Sequence, residues 1–190
     1  MTQFSGLYWI VVMCCFYTSY CFVSTADLIE LFHHRWAPPA LALVGERGGV
    51  RFVELQRKLD VGRESLNRAL DALIDLGYVR RNPGYGHPLR PEYLLAPGGR
   101  RAAELAAGVL AAGDPAVLLR KWSVPVLAEL GEERRFSELR SSLEASPRAL
   151  ALALQDLEAA RLIRREVVAT RPPTTIYRPT ARGRRVQEAL

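Results

Sequence analysis

Residues 51–81, RFVELQRKLDVGRESLNRALDALIDLGYVRR, decide the fold that this 190-residue sequence predicts. The stretch begins with a short helix that carries Leu55 and Leu59 on one face, and a tight turn follows at residues 60–62. Gly77 ends the longer second helix, because glycine adopts the left-handed conformation of a helix end most easily. The apolar residues that recur at the spacing of one buried face of this helix are Leu66, Leu70 and Leu73.

The opposite face of the second helix is polar. Its outward residues are Arg63, Glu64, Asn67, Arg68 and Asp71. Two helices joined by a turn of a few residues, with a polar face on the second, are typical of a helix-turn-helix. The stretch therefore predicts a unit that places its second helix in the major groove of double-stranded DNA.

Most of this unit occurs twice. Sliding the chain by 84 residues aligns residues 51–104 with 135–188 without a gap, and 17 of the 54 aligned positions are identical. The residues of the first copy that recur are Arg51, Phe52, Glu54, Leu55, Leu59, Leu66, Ala69, Leu70, Leu73, Arg80, Arg81, Pro88, Tyr93, Gly99, Arg100, Arg101 and Glu104. The period is too long for a solenoid repeat, so we expect two small domains in tandem, at residues 24–113 and 114–190.

A β-hairpin is predicted after each helix-turn-helix. In the first copy, residues 78–81 and 91–95 are the strands, and the turn-rich residues 82–88 form the loop. In the second copy, the strands are residues 162–169 and 174–178. The expected fold class is therefore mainly α with small β-hairpin wings, an α+β arrangement of tandem winged helix-turn-helix domains.

Sequence signals for the start and the end of helices occur in both copies. Ser24 or Thr25 can cap a helix before the first copy, and Ser137 is expected to cap the first helix of the second helix-turn-helix. Ser146 followed by Pro147 is a strong start signal, a hydroxyl cap with proline at the first helical position. Gly113 is expected to cap the helix that closes the first copy.

The charge of the chain favours a polyanionic partner. The formal net charge is +6, and the sequence pI is about 9.6. Such a surface attracts nucleic acid or an anionic membrane. The alternative is a basic chain without such a partner, since 24 of the 26 basic residues are arginine, which is also what codon bias produces.

Residues 1–23 differ from the rest of the chain. Residues 7–23 carry no charge, and all three cysteines lie there, at Cys14, Cys15 and Cys21. Three readings stay open: a membrane anchor, a helix that packs on the repeats, or residues upstream of the natural start. We expect a cytoplasmic protein, with membrane anchoring through residues 7–23 as the alternative.

The second copy resembles the HxlR-type family of bacterial transcriptional regulators, and the first copy shows a looser version of the same pattern. The strings that carry the resemblance are Lys121-Trp122, Arg135-Phe136-Ser137-Glu138-Leu139, Ser146-Pro147-Arg148-Ala149-Leu150, Leu157-Glu158, Leu162-Ile163-Arg164-Arg165, Pro172-Pro173, Tyr177, Thr180 and Gly183, with Arg35-Trp36, Arg51-Phe52-Val53-Glu54-Leu55 and Pro91-Glu92-Tyr93 in the first copy. The resemblance implies winged-helix DNA binding, commonly as dimers, and no enzymatic activity. This chain departs from the pattern by holding two modules, so both a homodimer and an intrachain pseudo-dimer stay open.

The candidate DNA contacts follow from hydrogen-bonding chemistry. Arginine suits guanine edges or phosphates, and asparagine can bind adenine through two hydrogen bonds. We expect Arg63, Asn67 and Arg68 to read bases and Arg51 to meet a phosphate. The remaining candidates are His87 and Arg90 at the first wing tip, Arg148 and Gln155 on the second recognition helix, and Arg171 at the second wing tip.

The two modules are expected to read DNA unequally. In the 84-residue register, Asn67 and Arg68 correspond to Ala151 and Leu152, which offer no hydrogen bond to a base edge. We therefore expect the first module to carry most of the base recognition, and Leu152 to pack on a protein surface.

No enzyme motif competes with this hypothesis. The sequence holds no GxxxxGK[ST], HExxH, CxxC or GxSxG pattern. The pair His33-His34 has no cysteine or aspartate cluster beside it, so we expect neither a metal nor a cofactor. The alternative function is a winged-helix scaffold that binds proteins without DNA. The sequence identifies no small-molecule effector, and we do not expect a membrane partner.

Overall fold

The computed structural model describes residues 24–85, 90–169 and 173–190, which form a mixed α+β fold. The helices are α1 (Thr25–His33), α2 (Ala37–Arg47), α3 (Phe52–Leu59), α4 (Arg63–Asp75), α5 (Gly99–Ala112), α6 (Pro115–Leu118), α7 (Ser123–Leu130), α8 (Phe136–Leu143), α9 (Pro147–Ala159) and α10 (Ala181–Gln187). The strands are β1 (Val50–Arg51), β2 (Val79–Tyr85), β3 (Arg90–Leu95), β4 (Arg134–Arg135), β5 (Ile163–Val168) and β6 (Thr174–Pro179). Within these ranges, none of the helices combines the length and apolar character needed to cross a bilayer.

Two three-stranded antiparallel sheets have matching order and register. The strand orders are β1-β3-β2 and β4-β6-β5. Val50 pairs with Tyr93 in the first sheet, and Arg134 pairs with Tyr177 in the second, a shift of 84 residues on both strands. The helices α3 and α4 likewise begin 84 residues before α8 and α9. The register found in the sequence is therefore also the register of the backbone.

The turn inside each helix pair uses a left-handed residue. Asp60 follows α3 at φ 48°, and Glu144 follows α8 at φ 50°. Gly77 after α4 also has a positive φ of 70°, which confirms the predicted helix end. Arg161 has a φ of 57° at the equivalent position after α9, where an L side chain is strained.

A glycine at the start of α5 and another in the first turn of α10 allow close backbone contact. A Cβ at Gly99 would lie 1.9 Å from the carbonyl oxygen of Tyr78. A Cβ at Gly183 would lie 2.1 Å from the carbonyl oxygen of Leu162. In each half, the helix therefore packs directly against the backbone of the residue before the first hairpin strand. This close contact fixes the hairpin against the helix.

Three predicted helix caps hold their positions and one is wrong. Ser24 caps α1, and the hydroxyl of Ser146 accepts from the backbone N–H of Ala149 at 3.3 Å. Ser137 does not cap α8, which already begins at Phe136 because the Glu138 carboxylate accepts from the N–H of Arg135 at 2.8 Å. Gly113 takes the predicted C-cap position of α5, but it is extended rather than left-handed. A Cβ there would lie 2.8 Å from Leu118 Cδ1, so the glycine provides space for α6.

The first hairpin strand is longer than the sequence predicts. The predicted loop covered residues 82–88, but residues 82–85 belong to β2. Asn82 pairs with Glu92 and Tyr85 with Arg90, and the register shifts between these two pairs. A bulge of this kind lets the strand continue through Pro83 and Gly84, which break a regular ladder.

Helix contacts join the two halves of the chain. The helix α1 packs on α2 and α4 of the first half and on α7 of the second. The hydroxyl of Thr25 donates to the carboxylate of Glu129 at 2.5 Å across this junction. The helix α5 packs on α10, where a Cβ at Gly108 would lie 3.2 Å from the Cβ of Ala189. One hydrophobic core extends through both halves.

Candidate nucleic-acid interface

The helix α4 separates a buried face from a polar face. Leu66, Ala69, Leu70 and Leu73 are buried in the core. The exposed residues are Arg63, Glu64, Asn67, Arg68 and Asp71, as the sequence predicts. Because the buried face fixes the rotation of α4 about its axis, the polar side chains on the opposite face point to solvent.

Two arginines of this face already have partners. The guanidinium of Arg68 forms an ion pair with Glu64, one turn earlier on the same helix. The guanidinium of Arg63 lies 5.9 Å from the ring centre of Phe52, at the start of α3. Exposed pairs of this kind contribute little to stability, so a phosphate or base edge can displace them. Asn67 lies between these two arginines in sequence and is also exposed.

The equivalent face of α9 is less polar. Arg148, Ala151 and Gln155 are exposed, and 51% of the Leu152 surface is accessible. One turn beyond Leu152, Asp156 forms an ion pair with Arg120, which follows α6. This face therefore offers fewer hydrogen-bonding groups than α4, and one of its carboxylates is held by the segment that joins the two halves.

The short strands place an arginine beside each helix pair. Arg51 ends β1, and its Nε lies 3.8 Å from Oε1 of Glu92 on β3. Arg135 ends β4 and faces Ile176 on β6, which carries no charge. Arg135 is exposed and forms no salt bridge with an acidic residue in the parts of the chain that the structure describes. Sequence reasoning missed Arg135, although the 84-residue register links it directly to Arg51.

The wing-tip candidates lie largely outside the described residues. His87 and Arg171 are in the ranges without a described placement. The backbone of Arg90 is described, and it pairs with Tyr85 at the end of the hairpin. The proposed contacts of these three side chains therefore stay predictions.

His34 lies between α1, α4 and the second half. Burial lowers the pKa of His34, and the charge of neighbouring His33 lowers it further. Glu30 raises this pKa, whereas Arg68 on α4 and Lys121 after α6 lower it. The imidazole rings of His33 and His34 stack with their centres 5.1 Å apart. Among the described side chains, no group of three or more His, Cys, Asp or Glu residues could hold a metal ion.

The second half of the chain matches a known family model. Residues 117–190 match the HxlR-like helix-turn-helix family. An uncharacterized HTH-type transcriptional regulator of Synechocystis sp. is 41% identical over 76 residues, which cover 39% of this chain and 56% of that protein. An uncharacterized HTH-type transcriptional regulator of Mycobacterium tuberculosis is 35% identical over 89 residues, which cover 41% of this chain and 56% of that protein. The chain thus spans about half the length of these curated relatives.

Solved structures with some likeness are also transcriptional regulators. The reduced form of the transcriptional regulator YodB from B. subtilis has 27% identity and a TM-score of 0.37, over 38% of this chain and 74% of that chain. Apo wild-type MarR from E. coli has 20% identity and a TM-score of 0.35, over 55% of this chain and 76% of that chain.

Proposed function

We propose that this protein is a sequence-specific double-stranded-DNA-binding transcriptional regulator with two winged helix-turn-helix modules in tandem, at residues 24–113 and 114–190. The observation that carries the proposal is the exposed polar face of α4, on the second helix of a helix-turn-helix whose inner face is buried. The match of residues 117–190 to the HxlR-like family supports the same function for the second module.

The first module reads bases in this proposal. The N-terminal half of a recognition helix contacts base edges in the major groove. Arg63 and Arg68 reach guanine O6 and N7 or a nearby phosphate, and Asn67 bonds to adenine N6 and N7. The ion pair between Arg68 and Glu64 holds the guanidinium extended along the helix until DNA replaces the carboxylate.

The second module positions the protein on the duplex. Arg148 and Gln155 flank the apolar pair Ala151-Leu152 on α9, so this helix has few groups that distinguish bases. We assign Arg148 and Arg135 to phosphates, which supply affinity without sequence information. Arg51 takes the equivalent role in the first module, with its charge partly balanced by Glu92.

The wings extend both modules along the DNA. His87 and Arg90 at the first hairpin, and Arg171 at the second, are proposed to contact phosphates on either side of the grooves. Their chemistry suits this role because each is a cation or a hydrogen-bond donor.

One chain supplies the two units that a dimer would otherwise supply. The contacts of α1 with α7 and of α5 with α10 support an intrachain pseudo-dimer, since they join the two halves through packed helices. A single chain would then cover two unlike half-sites, so its operator need not be palindromic. We place this regulator in the cytoplasm, where such an operator is accessible.

A gel-shift against genomic fragments with excess nonspecific competitor tests the function. We expect retained complexes with a subset of fragments for the full chain and loss of this selectivity for Asn67→Ala. The matched control is Ser141→Ala on α8, an exposed residue outside the proposed contacts, which should keep the same fragments. Equal retention of all fragments by the full chain would contradict sequence-specific binding.

A protein-binding scaffold is the second candidate. It is favoured by four exposed apolar side chains among the described residues, since Val53, Leu152, Val167 and Val168 are 60%, 51%, 68% and 38% accessible. If the chain binds a protein partner through these residues and does not bind DNA, the gel-shift gives no complex at physiological salt. Removal of a charge on α4 then leaves binding of the protein partner unchanged.

A further inference from the structure

A cleft of about 800 Å³ lies where α1 meets the second half of the chain. Its apolar wall is formed by Leu28, Ala128, Pro179 and Leu190. Its size falls within the range of small-molecule pockets, about 300–1,000 Å³. The cleft is remote in sequence from α4 and contains none of the residues that the proposed DNA contact uses.

Most of the charge in the cleft is already balanced. The Arg178 guanidinium lies 2.5 Å from the carboxylate of Glu133. Glu166 on β5 contacts both Arg164 and Arg178. One of its carboxylate oxygens lies 2.9 Å from Nε of Arg164, and the other lies 3.6 Å from Nε of Arg178. These four residues together carry no net charge.

Two lining residues of opposite charge are left over. Arg184 on α10 and Glu132 after α7 are exposed, and neither forms a salt bridge with any residue that the structure describes. The Nε of Arg178 is buried and makes no hydrogen bond within the described chain, but its charge is already paired with Glu166.

We propose that this cleft binds a small zwitterion with an apolar body, the chemistry that apolar amino acids and their dipeptides share. Arg184 takes the carboxylate. Glu132 takes the ammonium group, and the apolar body lies on Leu28 and Ala128. The pairing of one free cation and one free anion around an apolar wall is the feature that selects a zwitterion over a simple anion.

A ligand bound in the cleft would affect the position of the proposed DNA-binding face through α1. Thr25 and Leu28 line the cleft from α1, and α1 also packs on α4. A ligand that bridges α1 and α10 would therefore stabilise one placement of α4 relative to the second half. This regulatory consequence rests on the proposed function, whereas binding of the ligand does not.

Isothermal titration calorimetry on the full chain, without DNA, tests the site. L-leucine, L-phenylalanine and Leu-Leu are the probes, and N-acetyl-leucine and leucinamide each lack one charged pole. We expect at least one zwitterion to bind, and its blocked forms to bind roughly 10-fold or more weakly, as expected for loss of one charge-assisted hydrogen bond. Absence of binding for all three probes at millimolar concentration overturns the proposal.

Variants locate the binding. Arg184→Gln should lower the affinity for the zwitterion to that of leucinamide, which lacks the carboxylate. Glu132→Gln should lower it to that of N-acetyl-leucine, which lacks the ammonium group. The matched controls are Arg185→Gln and Glu188→Gln, which change exposed charges beside Arg184 that do not line the cleft. Equal binding by N-acetyl-leucine, or unchanged binding in Arg184→Gln, overturns the assignment. Because no DNA is present, failure of this test is distinct from failure of the proposed function.

Discussion

Arg51 and Arg135 end the first short strand of each sheet, but of the two only the Arg51 guanidinium forms an ion pair with a carboxylate of the described residues. The Nε of Arg51 lies 3.8 Å from Oε1 of Glu92, whereas Arg135 faces Ile176 on the neighbouring strand. Both arginines are exposed. The same backbone position therefore carries an ion-paired guanidinium in the first half and, in the second, a guanidinium without an ion pair to any described carboxylate.

This difference predicts unequal electrostatic contributions to DNA affinity. Arg135→Ala should lower the slope of log affinity against log salt by about 0.9, the value for one phosphate contact. Arg51→Ala should change the slope less, since Glu92 already balances part of the charge. Fluorescence anisotropy with one duplex at four salt concentrations measures both slopes. A larger effect for Arg51→Ala would contradict the assignment.

Arg148 on α9 should behave as a phosphate contact. Its neighbours Ala151 and Leu152 offer no hydrogen bonds to bases. We therefore expect Arg148→Ala to weaken binding to all DNA sequences alike and to lower the slope of log affinity against log salt by about 1. Arg68→Ala should instead reduce the preference for the operator over other duplexes. A greater loss of specificity in Arg148→Ala than in Arg68→Ala would reverse the roles of the two modules.

Gly99→Ala should destabilise the fold strongly. The new Cβ would lie 1.9 Å from the carbonyl oxygen of Tyr78, so α5 must move away from the hairpin. We expect the free energy of unfolding to fall by about 3 kcal/mol, at the upper end for overpacking.

The matched control for this change is Gly62→Ala. A Cβ there meets nothing within 4 Å, and the residue has a φ of −63°. Its effect should stay within about 1 kcal/mol. Urea unfolding followed by circular dichroism measures both variants, and similar midpoints would disprove the close approach of α5 to Tyr78.

His34 should make stability depend on pH. Burial lowers its pKa below the ordinary value of 6.5, so the unfolded chain binds the proton more readily than the folded chain. Stability should therefore rise with pH through the interval between the folded pKa and 6.5, and it should be lost as pH falls below 6.5. Urea unfolding between pH 5 and pH 8 should show a shallower dependence for His34→Gln, and an unchanged dependence would contradict this role.

Local patterns in the sequence predict the helix pairs well. The leucine spacing of α4 identifies its buried face, and Gly77 and Ser146 mark helix boundaries that depend on nearby backbone. The predicted start of α8 is wrong, because the Glu138 carboxylate accepts from the N–H of Arg135 and the helix begins before Ser137.

Features that depend on distant residues could not be predicted. The extension of β2 to Tyr85 depends on pairing with β3 across a bulge, although Pro83 and Gly84 favour a turn locally. The balance of Arg51 by Glu92 depends on the sheet register, and the cleft beside Arg184 depends on how α1 packs against the second half. Such relationships arise from tertiary packing, which no local pattern in the sequence encodes.

Selection of binding sites from random duplexes tests the central claim most directly, because it requires no knowledge of the operator. The full chain and Asn67→Ala are selected in parallel at physiological salt. We predict one enriched motif for the full chain, with an adenine whose preference falls in Asn67→Ala, since one bidentate contact gives about 1–3 kcal/mol of discrimination. Absence of an enriched motif for the full chain, or an identical motif in both selections, would contradict base reading by α4.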